Sequence, residues 1–179
     1  MTRISKIDFR VMLALSIRAN LKDHCKALKT LLTQPWYDYQ QLAPRGSKAL
    51  EPAMRKCGVY HFFAIDENGA IASMYVGESH TATKEFGLHA RIRQHINPGG
   101  DETGNLADGL VRAKDAANRD DAVKIIRAYF RLQYLVLPTP QEAIALEHYA
   151  ISALMPRYNL IPPAPRKKSQ QTLPLGNLD

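Results

Sequence analysis

Two tyrosines, an arginine–histidine pair and one out-of-place glutamate are the side chains of this chain whose types and spacing could do chemistry. Tyr60 and Tyr75 flank Asp66-Glu67-Asn68-Gly69, whose Asn-Gly pair is a strong short hairpin signal. A two-residue Asn68-Gly69 loop sets Tyr60 opposite Gly77 and Phe62 opposite Tyr75, and a four-residue loop sets Tyr60 directly opposite Tyr75. Both registers project the two phenols from one face of the sheet, whereas a one-residue slip separates them. Arg91 and His95 stand at i and i+4, so one helix face carries a planar fork of phosphate donors beside a group that exchanges a proton near neutrality. Arg93 is turned away from that pair, toward solvent or a substrate backbone, and His89 reads as a surface histidine. Glu147 falls among Ile144, Leu146, Ala150 and Ile151, where a carboxylate needs a cation or a strong donor. A divalent metal and a nearby arginine both meet that need. Glu142 has a different task, because Thr139-Pro140-Gln141-Glu142 spells a helix start with a capping box. Tyrosines on strands also serve packing alone.

These side chains require a small frame. Gly58–Ile65 and Ala70–Gly77 read as strands, Gly87–Ile96 as a helix, and residues 97–120 as a long polar connection with a short helix near Leu106–Ala117. A helix or lead-in at Asp121–Ala128 runs into a third strand, Tyr129–Leu137, and a last helix follows from Thr139 to about Leu154. The fold class is therefore α+β: a small three-stranded antiparallel sheet flanked by helices. Ahead of it, apolar residues recur at helical spacing from Ile7 to Leu32, as one helix or two broken near Asn20. Pro35, Pro44, Gly46 and Pro52 then mark a loop in which Trp36, Tyr37 and Tyr39 serve as anchors or, less in keeping with their setting, as stacking platforms for bases.

With 179 residues and 45% apolar content, the chain can bury one core. No stretch has the apolar length to cross a membrane. Acidic and basic residues interrupt the N-terminal apolar run and no small-residue cleavage site follows, so a conventional secretion signal is not expected. Cys25 and Cys57 make no disulfide framework, and their spacing to His24 and His61 fits no zinc pattern. The net charge of +7 is unevenly placed. Residues 1–57 hold 11 Lys/Arg against 4 Asp/Glu, residues 58–160 hold 10 against 12, and residues 161–179 hold 3 against 1. A basic helical arm (1–57), a near-neutral module (58–160) and a basic tail (161–179) suit a protein that approaches a polyanion, although basic helices are also ordinary solvated faces.

Taken in order, Gly58-Val59-Tyr60, Tyr75-Val76-Gly77, Arg91-x-x-x-His95, Glu147, and Pro156 with Arg157-Tyr158-Asn159 resemble the motif series of the GIY-YIG nuclease superfamily. The spacing from Glu147 to Pro156 is that of excision-repair incision nucleases. The resemblance covers about 100 residues. It implies a DNA endonuclease that hydrolyses phosphodiesters with one divalent ion, Mg²⁺ or Mn²⁺. Glu147 would be the sole protein ligand of the metal, Arg91 the phosphate clamp, and Tyr60 the base or water positioner with His95 assisting. Tyr75 would bond the phosphate or share the base role, and Asn159 would brace the site or position water. Ser79, Lys84 and Arg93 are weaker substrate contacts. The stretch from Tyr75 to Arg91 is longer than the minimal pattern, so Lys84 has no safe counterpart there. The expected partner is DNA, duplex in preference to RNA, and no membrane. A palindromic target would call for a homodimer, and a toxin role for a cognate immunity protein. Location would be cytoplasmic, or inside a target cell after delivery without a signal peptide. Restriction, repair, mobile-element and toxin roles all stay open. The alternative reading is a non-catalytic nucleic-acid-binding module of the same fold.

Overall fold

The computed structural model describes residues 20–44, 47–83, 87–97 and 105–159. The expected helix over Ile7–Leu32 is seen as a helix over residues 20–32 (α1); its earlier part, the 161–179 tail and Lys84 lie outside the described residues. After α1 come α2 (Tyr39–Leu42), a 3-10 helix (Lys48–Ala53), β1 (Cys57–Ile65), β2 (Ile71–Ser79), α3 (Leu88–Ile96), α4 (Asn105–Arg112), α5 (Arg119–Tyr129), β3 (Phe130–Leu137) and α6 (Pro140–Leu154). The architecture is α+β, with a three-stranded antiparallel sheet in the order β2-β1-β3 and helices on both faces.

The hairpin reaches the expected register by an unexpected route. Asp66 and Ala70 still pair through the Asp66 N–H, and Gly69 sits at φ 79°. The loop is thus three residues, Glu67-Asn68-Gly69, with glycine in the left-handed position such a loop requires. That loop alone would shift the strands by one residue. A β-bulge at Met74 removes the shift: Phe63 pairs with Ser73, but Phe62 pairs with Tyr75 and Tyr60 with Gly77. The two phenols therefore share a face, tilted at 34° with ring centroids 6.3 Å apart.

Two cores result from the strand alternation. Tyr60, Phe62, Tyr75, Leu132 and Tyr134 face α3, α4 and α5, with Leu42, Leu50 and Ala53 closing that side. Val59 and Val76 face α1 and α6 through Leu28, Leu31, Ala143, Leu146 and Ala150. The described part of the basic N-terminal segment is therefore packed onto the sheet. Tyr37 pairs its backbone with Leu132 and stacks on Tyr134, and Arg127 lies 4.9 Å from the centre of the Tyr39 ring. These two aromatics act as anchors, while Trp36 stays half exposed beside Arg131.

From Asn105 onward the polar connection is helical and partly buried. Leu106, Ala107, Gly109 and Leu110 of α4 are buried, and α5 starts at Arg119 because Asn118 caps the Asp121 N–H at 2.9 Å. α6 opens with the expected capping box: the Glu142 N–H donates to Thr139 Oγ1, and the Thr139 N–H to Glu142 Oε2. It closes at Met155, left-handed at φ 46°. That turn sends the chain back along the free edge of β2, where the Arg157 and Tyr158 N–H groups donate to the Ser73 and Met74 carbonyls. No helix among the described residues is long and apolar enough to cross a membrane.

Candidate active site

α3 carries Leu88, Ile92 and Ile96 as a fully buried stripe at helical spacing. Each such side chain contributes about 2 kcal/mol of burial, enough to fix the helix rotation. That rotation divides the Arg91–His95 pair, with His95 inside the core and Arg91 exposed at its margin. His95 is ringed by Tyr60, Tyr75 and Phe62. Its Nε2 lies 2.7 Å from the Tyr60 hydroxyl, while Nδ1 has no partner among the described residues. Burial, then Arg91, pushes the imidazole down to about 3, so the ring is neutral. In the tautomer with its proton on Nδ1, Nε2 accepts from the phenol.

Gly77 explains how Tyr60 is seated. A Cβ there would collide with the Tyr60 hydroxyl and ring and come within 2.9 Å of Tyr75. Glycine directly across from Tyr60 lets the ring lean over β2 toward His95. Gly77→Ala is accordingly expected to cost about 2 kcal/mol by overpacking and to break the Tyr60–His95 bond. Denaturant midpoints and the imidazole ¹⁵N shifts of His95 measure the two effects. An unchanged His95 signal would contradict this view of the glycine.

A phenolate base needs nearby cations to outweigh burial, and here burial dominates. Burial first and Tyr75 second hold the Tyr60 phenol well above its ordinary 10, although Arg91 pulls it down. Tyr75 is raised by burial first and then by Glu147, while Asn105 at the start of α4 and Arg91 lower it. Both rings are neutral in the resting state.

Glu147 sits on the flank of the buried Ala143–Leu146–Ala150 stripe of α6 and is half-buried. Burial first, then the charge of Glu78, raises its carboxyl from 4.5 to about 7; Arg91, the Glu78 backbone N–H and His80 lower it without restoring balance. The folded state therefore binds an extra proton between those two values. Stability contributed by this group is full below about 4.5 and is lost as pH rises through about 7. In EDTA, the melting temperature of the wild type relative to Glu147→Gln should fall from about pH 5 to about pH 8, and a divalent cation should shrink that fall. Parallel curves for the two proteins would contradict the assignment.

A cavity of about 230 Å³ opens beside these groups, lined by Glu78, Ser79, His80, Thr81, Arg91 and Gln94. Arg91 donates from Nη1 to Gln94 at 2.9 Å and forms no ion pair with a described carboxylate. Its charge nonetheless bears on Tyr60, Tyr75, His95 and Glu147 alike. Asn159 braces β2: its Nδ2 donates to the Val76 carbonyl at 2.7 Å, and its Oδ1 accepts from the Val76 N–H at 2.6 Å. Both amide functions are spent on the strand between Tyr75 and Gly77, which favours bracing over holding water. Ser79 is buried on the cavity wall and donates from Oγ to the Thr81 carbonyl at 3.1 Å.

Arg93 is engaged elsewhere. Its guanidinium donates to the Pro44 carbonyl at 2.9 Å and to His89 Nε2 at 3.2 Å, tying α3 to the loop after α2. His89 is thereby half-buried and partnered, contrary to the expected surface histidine. Glu78 and His80 carry no role expected from the sequence, yet both line the cavity. A signal was present: in strand alternation Glu78 follows Val76 on the α6 face, where an unexplained carboxylate meets Glu147. Comparison of the chain with protein-family models, curated proteins and solved structures returns no match.

Proposed function

We propose that the protein is a metal-dependent endonuclease of the GIY-YIG type, hydrolysing phosphodiester bonds of DNA. The observation that carries this reading is that one arginine with no described ion-pair partner, on the wall of a small open cavity, is electrostatically coupled to both tyrosines, the buried histidine and Glu147. The five groups come from β1, β2, α3 and α6, and of them Arg91 lines the cavity itself.

The donor set fits a divalent cation. Glu147, raised to about 7 by burial and then by Glu78, would gain from an added positive charge, and a phosphodiester brought to Arg91 would add a further negative one. Glu147 would hold the ion, with waters and substrate oxygens completing its shell. When bound, the ion supplies charge neutralisation at the scissile phosphate. Arg91 turns from Gln94 to clamp the phosphate and meets its growing charge in the transition state. Because Tyr60 is neutral, it acts as a relay rather than a preformed base. The attacking water gives a proton to the phenol oxygen as the phenol passes its own to His95 Nε2. Burial is the larger cause of the depressed His95 imidazole; the phosphate's negative charge would offset the smaller Arg91 part. Asn159 and Gly77 hold β2 and the Tyr60 ring in place.

Incubation with supercoiled plasmid, linear duplex and single strands, in Mg²⁺ or in EDTA, tests the reading. Cutting of DNA in Mg²⁺ alone is the expected result. Discrete fragments would indicate a sequence-specific enzyme, such as a restriction nuclease, and a smear a degradative one or a toxin. Tight binding without cutting in either condition would transfer the site to a nucleic-acid-binding module.

A further inference from the structure

The Glu78–His80 pair lies on the cavity wall beside Arg91, and nothing in the relay above uses it. Glu78 pairs with Val59 in the sheet, and its side chain is only 16% exposed. Its carboxylate accepts from His80 Nδ1 with both oxygens, at 2.9 and 3.2 Å. The Ser79 hydroxyl donates to the Thr81 carbonyl and tightens the turn that presents His80. The imidazole is thus anchored through Nδ1, while Nε2 bonds no described residue and the ring is 60% exposed at the cavity mouth. A carboxylate on one ring nitrogen fixes the orientation of the ring. The charged groups around this ring are Glu78 of β2, bonded to it, Arg91 of α3, which lines the same cavity, and Glu147 of α6.

Resting on the phosphodiesterase reading, we infer that His80 is the general acid of the reaction, delivering a proton from Nε2 to the leaving sugar oxygen, with Glu78 as its positioning residue. Water oxygen bonds to phosphorus as the bond from phosphorus to the leaving oxygen breaks. That oxygen takes the His80 proton with the electron pair it gains, and the attacking water's proton passes to the Tyr60–His95 relay. His80, open to solvent, recovers its proton from water. The division of labour follows exposure: the buried pair receives a proton and the exposed pair supplies one.

Leaving-group substitution tests this directly. The probes are short duplexes with a single linkage in which bridging sulfur replaces the 3′ or the 5′ oxygen, because a thiolate leaves without protonation. On all-oxygen DNA, His80→Ala should cut about 10³-fold more slowly. On the sulfur linkage at the leaving position it should cut within about threefold of wild type. Glu78→Gln should give a smaller loss that the same sulfur also rescues. An equal loss on both linkages would overturn the acid role and leave the phosphodiesterase reading standing. A wild type that cuts neither linkage would remove that reading and this inference with it.

Discussion

Replacing Glu147 by Gln is expected to lower the cleavage rate by roughly 10³-fold or more while leaving the fold intact. Glutamine keeps the shape, so α6 still packs through Ala143, Leu146 and Ala150. It removes the formal charge that a divalent ion needs, and charge neutralisation at a phosphoryl centre contributes several kcal/mol, with each 1.4 kcal/mol worth about tenfold in rate. The same change relieves repulsion with Glu78 and removes a carboxyl that burial holds at about 7. In EDTA the variant should therefore be at least as stable as wild type at neutral pH. Loss of cutting together with gain of stability is the signature of a side chain kept for function at a cost in stability. Single-turnover rates and thermal melts in EDTA check the two halves. A variant that is both less stable and fully active would make Glu147 a structural residue.

Arg91→Ala should reduce kcat by about 10³-fold and weaken substrate binding by no more than about tenfold. The guanidinium is exposed and in the resting state donates to Gln94, so its removal costs little stability. Its interaction strengthens as charge grows on the phosphate oxygens, which places the loss in kcat. Arg91→Lys should recover little, because a single ammonium cannot replace a planar two-donor fork. Removal of Arg91 also withdraws the positive charge that lowers both His95 and Tyr60. Binding by fluorescence anisotropy, set beside single-turnover rates, separates the effects. Equal losses in binding and rate would make Arg91 a general phosphate contact rather than a transition-state group.

Much of this frame was legible in the sequence because local rules set it. The Thr139–Glu142 capping box and the strand alternation that puts Tyr60 and Tyr75 on one face emerge from the local pattern. The hairpin register shows the limit of such rules. A three-residue loop and a bulge at Met74 each shift the pairing by one, and only their cancellation yields the register expected from a two-residue loop. The site was legible in part. Spacing put Arg91 and His95 on one face, but only packing against the sheet decided that one is buried and the other free. Arg93 could not be read correctly from its helix, because its partner is the Pro44 carbonyl, 49 residues away in the chain. Glu78 and His80 escaped for a similar reason, since their significance depends on α6 lying across β2 and bringing Glu147 to them.

The source of the oxygen in the product tests the central claim most directly. Cleavage of duplex DNA in ¹⁸O-labelled water with Mg²⁺ should place one labelled oxygen in each new terminal phosphate. Omitting the metal, or substituting Glu147 or Arg91, should reduce that incorporation in step with the rate. Intact DNA under all conditions, or new ends without the label, would contradict hydrolysis at this site.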